Sequence, residues 1–265
     1  MVDRLREIET YLDAVPRSAA RAEEIGPFTL FVNTGAGWSY YARPSLVAAG
    51  ITETDVRRVR LRQRALGIPE SFEWIADTSP GLAAATAAAG LTVSYFPLML
   101  LQQHRHVEPD GVEIREATLA DDLALLDAVG HVAFTHAGTD VGAAGLDTAR
   151  ANIQHDAPAI AFQQDRMRTG RTITAVALVD DQPVGVGSHQ PLGSATEVVG
   201  VGVLPAYRRR GIAAALTSHL VAEALRRGMR TIFLSAGDET IARVYTRVGF
   251  ERIATACTAE AAPGS

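Results

Sequence analysis

The stretch "LPAYRRRGIAAAL", residues 204–216, constrains the chain more tightly than any other. The "VVGVGV" before it is rich in β-branched residues and stops at Pro205, which cannot donate to a continuing ladder. After it, Ile212, Leu216 and Leu220 recur every four residues, and Ala215, Val221 and Ala224 widen the same helical face. Between strand and helix stand Arg208, Arg209, Arg210 and Gly211. A helix that opens at glycine has no Cβ to shield its first N–H groups, and those groups carry the positive end of the helix dipole. Exposed arginines beside that end cost about 0.3–1 kcal/mol each. A bound diphosphate reverses the cost, because backbone amides and guanidinium forks both suit phosphate oxygens. The segment predicts a strand–turn–helix unit built around an anion.

Composition narrows the chemistry. All 25 basic residues are arginine, which excludes a lysine-dependent phosphate loop and Schiff-base catalysis by lysine. "GVGSHQ" and "GVGVLP" lack the third glycine of a dinucleotide fingerprint, and the sequence has no Gly-x-Ser-x-Gly nucleophile elbow. A net charge of -5 argues against a nucleic-acid partner. The single cysteine, Cys257, excludes a disulfide framework and suits an apolar filler in a reducing cytoplasm. No apolar run reaches the ~20 residues of a membrane span. The start, "MVDRLREIETYLDAV", is charged and amphipathic rather than signal-like. We therefore expect a cytoplasmic protein with no membrane partner.

The turn in "EPDGVEI" divides the chain near Pro109–Gly111. Upstream, the pattern predicts a helix over 2–14, strands at "PFTLFVN" and "GWSYYAR", and a helix over 53–66 capped by Thr52 or Thr54. Then come a strand at "SFEWIA", a helix in "SPGLAAATAAAG" with Ser79 as cap and Pro80 first, and a strand at "LTVSYFPLMLLQ". Downstream, a strand at "VEIREAT" leads to a helix in "LADDLALLDAVGHVAF", a loop through Gly138, Gly142 and Gly145, and a helical stretch over 147–168 broken or kinked at Pro158. Three strands follow, with turns at Asp180–Asp181 and Gly193–Ser194. A helix over 209–227, a strand at "TIFLSA", a helix over 238–248 and a strand at "FERIATAC" complete the order.

"VGVLPAYRRRGIAAAL" resembles the acyl-CoA-binding motif of the GNAT acyltransferases, Arg/Gln-x-x-Gly-x-Gly/Ala, with Arg208, Arg209, Arg210, Gly211, Ile212 and Ala213 in those places. "IREATLADDLALL" is similar to that family's first strand and helix, and "ARVYTRVGFERI" to its closing tyrosine-x-x-x-glycine-phenylalanine segment, so the resemblance covers roughly 112–257. It implies an α/β (α+β) fold, a mixed and mostly antiparallel sheet with a splayed parallel strand pair, flanked by helices. It implies acetyl-CoA as co-substrate, its pantetheine arm lying between the "VVGVGV" and "TIFLSA" strands on the backbone of Val201, Gly202 and Val203. Gly200 and Gly202 would allow a bulge or close approach there. The acyltransferase domain would span 112–258. Residues 1–108 would form a smaller α/β domain whose strand–helix–strand order resembles a degenerate second copy, without the arginine turn.

The resemblance also implies roles. Tyr245 matches the tyrosine that protonates the departing sulfur; the plainer reading is a core tyrosine. Glu197 is the leading general base. Simple alternation would put it on the face of Val201 and Val203, although a strand-end glutamate explains it as well. His189, on the preceding strand, is the alternative base. Glu239 stands where the family often has asparagine, and it is not assigned a contact. His131 and His136 could line an acceptor pocket. His104 and His106 are two apart, like metal ligands, but lack a third partner, so no metal is expected. "RRVRLRQR", Arg57–Arg64, reads as a solvated basic face or, less simply, an RNA or acidic-partner contact. Trp38, Tyr40 and Tyr41 fit a half-buried strand, and Trp74 fits the core. The leading function is acetyl transfer to a primary amine of a small molecule, by a monomer or homodimer. A protein or peptide N-acetyltransferase and a non-catalytic acyl-CoA sensor stay open.

Overall fold

The structure, a computed structural model, describes residues 2–37, 39–48, 50–136 and 138–262; Trp38 lies outside them. The chain forms two compact units, one taking residues up to Leu98 and again from Ile253, the other running Met99–Arg252.

In the first unit, α1 (Val2–Ala14) precedes β1 (Ala20–Ile25), β2 (Phe28–Asn33) and β3 (Ala42–Pro44). Then follow α2 (Glu53–Leu66), β4 (Ser71–Ile75) and α3 (Leu82–Ala88). β5 (Thr92–Leu101) leaves this unit, and β11 (Phe250–Glu260) returns to it. The strands lie in the order β1-β2-β3-β4-β11. Thr52 caps α2 in a capping box with Asp55, which settles the two candidate caps. β1 pairs with β2 from Ala20↔Asn33 to Ile25↔Phe28. The sequence pattern gave no strand there, because "ARAEEI" is polar and only partly buried. Among the described residues of "GWSYYAR", Ala42 and Arg43 lie in a strand; Tyr41 stands before it, its ring edge-on to Phe31. The core gathers Phe28, Phe72, Trp74 and Cys257 from the sheet with Val56 and Val59 of α2 and Leu82 of α3. The basic face of α2 is not simply solvated. Arg57 pairs with Glu53, Arg60 and Arg64 with Glu70, and Arg62 with Glu23.

The second unit holds β6 (Glu113–Glu116), α4 (Leu123–Thr135), α5 (Leu146–Ala151), α6 (Ala157–Arg168), β7 (Ile173–Val179), β8 (Gln182–Leu192) and β9 (Ala195–Val203). It continues through α7 (Ile212–Arg226), β10 (Thr231–Ser235) and α8 (Glu239–Val248). Its strand order is β5-β10-β9-β8-β7-β6. β6 through β9 are antiparallel neighbours, and β10 runs parallel to β9. This is the expected mixed, mostly antiparallel sheet between flanking helices, with a parallel pair at β9–β10. Pro158 does not kink a helix but begins one: Asp156 caps α6 by accepting from the Ala159 amide, and proline's missing N–H costs nothing in a first turn.

Opposite faces of the second unit's sheet carry different clusters. On one, Leu216, Leu220, Val221 and Ala224 of α7 meet Ala175, Ala177, Val184, Val198 and Val203. On the other, Leu126, Val129 and Val132 of α4 meet Val176 and Val186. Full burial of a leucine such as Leu216 or Leu220 contributes roughly 1.5–3 kcal/mol, enough to fix which face of α7 turns inward.

Candidate active site

β9 and β10 pair at Ala195↔Thr231, Thr196↔Ile232 and Glu197↔Phe233, and no further. Val198–Val203 then run on without β10, so a split opens in the sheet directly after Glu197. On its other side β9 carries a bulge. Ser188 faces Val199 and Val186 faces Gly202, so β9 spends three residues where β8 spends two. Gly200 takes up the extra residue with φ +64°, a left-handed conformation that favours glycine. The strand edge facing the split therefore turns unpaired backbone groups toward it.

The bulge corrects one expectation. Strict alternation would put Glu197 on the face of Val201 and Val203, but the inserted residue reverses the parity beyond it. Val198 and Val203 both belong to the α7-side cluster although they are five residues apart. Glu197 shares the opposite face with Val199 and Gly202, the face that α4 covers. Gly202 itself answers to α4: a Cβ there would stand 2.8 Å from the Ala133 Cβ. Its missing side chain admits the helix, and only its backbone is left for a ligand.

Past β9 the chain makes a short helical turn at Pro205–Tyr207, then reaches Arg208 in extended conformation, Arg209 at φ +64° and Gly211 at φ +79°. Gly211 caps α7 without a side-chain hydrogen bond, as the sequence predicts, so no side chain caps the first amides of α7, those of Ile212 and Ala213. Arg209 and Arg210 are exposed, Arg210 resting 5.9 Å over the Tyr207 ring. Arg208 differs. Its Nη2 donates to the carbonyls of Ala133 (2.8 Å) and His136 (2.7 Å), its Nε to Val203 (3.2 Å) and its Nη1 to Asp140 (3.4 Å). Burial lowers its pKa from the usual arginine value, against the opposing pull of Asp140.

Tyr245 on α8 is 8% exposed and shares a cluster with Val203 of β9 and Leu234 of β10, one residue from each diverging strand. Its ring meets Phe250 edge-on at 6.3 Å. The hydroxyl makes no hydrogen bond among the described residues, and burial pushes the phenol up to about 12, so it stays a proton donor at neutral pH.

His189 is not an open base. It is fully buried on the α7 side. Nδ1 meets the Thr196 hydroxyl at 2.9 Å and Nε2 meets Glu223 of α7, which also holds Arg227. A ring protonated at Nε2 satisfies both neighbours, with the Thr196 hydroxyl donating to Nδ1. Burial pulls the imidazole below its ordinary value, against the pull of Glu223. Burial would raise Glu223, but Arg227 and His189 hold it below the usual carboxylate range. His131 and His136 are exposed at the end of α4, with the Nδ1 of His136 on the Val132 carbonyl at 2.9 Å. His104 bonds the Ser218 hydroxyl at 3.0 Å, and exposed His106 lies by Glu108. Glu239 pairs with Arg252.

Residues 144–250 match the model of the acetyltransferase (GNAT) family. A GCN5-related N-acetyltransferase from Kribbella flavida superposes with a TM-score of 0.73 at 22% identity, over 98% of this chain and 96% of that one. One from Sphaerobacter thermophilus gives a TM-score of 0.56 at 21% identity, over 77% and 65% of the two chains. A tandem GNAT protein from the clavulanic acid biosynthesis pathway gives 0.54 at 18%, over 90% and 79%. At these identities the likeness establishes the fold. No curated protein matches the chain in sequence. Among the described residues, no helix is long and apolar enough to cross a membrane.

Proposed function

We propose that this chain, whose residues 144–250 form a GNAT-family domain, transfers an acetyl group from acetyl-CoA to a primary amine of a small molecule. One observation carries the reading: a split beside the bulged strand β9 leads to an uncapped helix mouth flanked by two exposed arginines. A long thiol-bearing diphosphate has the shape that fills such a path. The amides of Gly211, Ile212 and Ala213, with Arg209 and Arg210, receive the diphosphate. Val201, Gly202 and Val203 bond the pantetheine amides along the unpaired edge, as an added strand would. Arg208 supports the turn through the carbonyls it holds, rather than by touching phosphate.

The faces divide the chemistry. The amine approaches from the α4 side, where Glu197 removes its proton. Its nitrogen attacks the thioester carbonyl, a tetrahedral intermediate forms, and the C–S bond breaks. Tyr245, from the α7 and α8 side, gives its proton to the leaving thiolate. The acetyl group ends on nitrogen, and CoA leaves as the free thiol. Residues up to Leu98 have no arginine–glycine turn after a strand, which supports a helper unit that does not bind the cofactor.

The test is thiol release from acetyl-CoA across a panel of small amines, with Glu197→Gln and Tyr245→Phe beside the parent. Turnover of one amine class, reduced in both variants while CoA still binds, supports the reading. Unchanged turnover in both variants removes these two residues from the mechanism, and CoA binding without turnover of any amine favours a sensor.

A further inference from the structure

Arg208 is the least exposed of the three consecutive arginines, and it spends its donors on carbonyls from three separate segments. Ala133 and His136 end α4, Asp140 lies in the loop that follows, and Val203 ends β9. The last carbonyls of a helix lack intrahelical partners and carry the negative end of its dipole, so a guanidinium there satisfies both. Two backbone bonds complete the joint: the Gly142 amide donates to Pro205 at 3.1 Å, and the Ala206 amide donates to Ala144 at 3.0 Å. The loop from Gly138 to Gly145 is thereby tied to the turn that leads to Gly211. Near this joint, Phe134 and Val141 are exposed at 61% and 62%, two large apolar side chains on a stretch that lacks basic residues.

We propose that Arg208 is a positioning residue that couples the anion-binding turn to the loop Gly138–Gly145, so that cofactor bound at the turn orders the loop which shapes the amine side of the site. The inference rests on the cofactor reading above. A diphosphate fixes the backbone of residues 209–213; that fixes the neighbouring guanidinium; and the guanidinium holds the end of α4 and the loop in a single arrangement. Lysine, with one small ammonium head, cannot hold three segments at once.

Hydrogen exchange with CoA itself as the probe tests this without knowledge of the acceptor. In the parent protein, CoA is expected to slow exchange both in 209–213 and in 138–145, at least fivefold in each. In Arg208→Lys the first segment stays protected and the second loses its response. Gly142→Val is the companion variant, because a Cβ there would stand 3.1 Å from the Pro205 Cβ and pry the joint open with Arg208 intact. It should give the same split, which keeps the test alive if the arginine variant folds poorly. Protection of 209–213 alone in the parent overturns the coupling and leaves the cofactor site standing. Equal protection of both segments in both variants overturns it too. No protection of 209–213 by CoA overturns the site and the coupling together.

Discussion

Two helices in this chain, α3 and α7, open in the same way in different surroundings. Each begins at a left-handed glycine, Gly81 at φ +89° and Gly211 at φ +79°, and neither cap makes a side-chain hydrogen bond. Each follows a strand, β4 or β9. The surroundings separate them. "DTSPG" precedes α3 with one acidic residue, and "YRRRG" precedes α7 with three cations. α3 has 7 residues and α7 has 15, and the strand before α7 ends beside a split in its sheet. A bare helix mouth is a general feature of folds. The proposed cofactor site at α7 adds two things to a bare mouth: charge, and an adjoining path for the rest of the ligand.

The largest effect should come from giving α7 its own cap. Asp tolerates the left-handed region and caps helices well, so Gly211→Asp should fold while its carboxylate occupies the mouth and repels phosphate. CoA affinity measured by calorimetry should fall about a hundredfold, roughly 2.8 kcal/mol, and Gly81→Asp should leave it unchanged. Equal losses in the two variants would erase the distinction drawn here.

Tyr245→Phe keeps the ring in its cluster and deletes only the proton. Turnover should drop on the order of 30-fold, below the usual range of general acid–base effects because thiolate is a good leaving group. CoA affinity should stay within a factor of two, and a matching loss of affinity would make Tyr245 a binding residue instead. Arg209→Ala and Arg210→Ala should each weaken CoA about fivefold, by an amount that shrinks as salt is added. A salt-independent loss would mean that the turn had collapsed.

Acidity separates the two units in sign. In the first, burial pushes the Glu73 carboxyl up to about 7 against the pull of Arg43 and the Tyr41 hydrogen bond, with Glu260 adding to the rise. An acid raised in the folded state contributes stability that is fullest below its unfolded value and is lost as pH climbs through about 7. In the second, neutral His189 and ionised Glu223 both have lowered folded values, so their contribution is present near neutrality and lost on acidification. Melting curves from pH 6 to 8.5 should show a fall that Glu73→Gln flattens; an identical fall in that variant would place its source elsewhere. The smallest expectation is a null. Arginines placed at 78–80 before Gly81 should not create measurable CoA binding, because the Glu9 carboxylate lies beside position 78 and repels phosphate.

How far the site could be read in the chain follows from which residues act locally. Pro205, Gly211 and the apolar period of Ile212, Leu216 and Leu220 act within a few residues, so the strand stop, the bare cap and the inward face of α7 were all legible. Glu197 was legible as a candidate, but its face was not. "VVGVGV" offers two glycines, and pairing with β8 decides that Gly200 takes the bulge while Gly202 makes room for Ala133. Likewise "RRRG" shows three equivalent cations. The carbonyls that claim Arg208 come from residues 68 to 75 positions away in three of four cases, and no local pattern records them. His189 reads as an alternative base until Glu223 and Thr196 close around it.

Sequence alone determined the order of strands in the second unit, the exclusion of lysine chemistry, and a bare helix mouth beside three arginines at the start of α7. Each follows from dihedral preference, periodicity or charge among neighbours along the chain. Tertiary structure decided which side of the split each candidate catalytic group approaches, which arginine is taken up by the fold, and that the basic face of α2 is neutralised by acids. Those outcomes depend on strand register and on partners distant in sequence, and one inserted residue at Gly200 was enough to turn Glu197 to the other face.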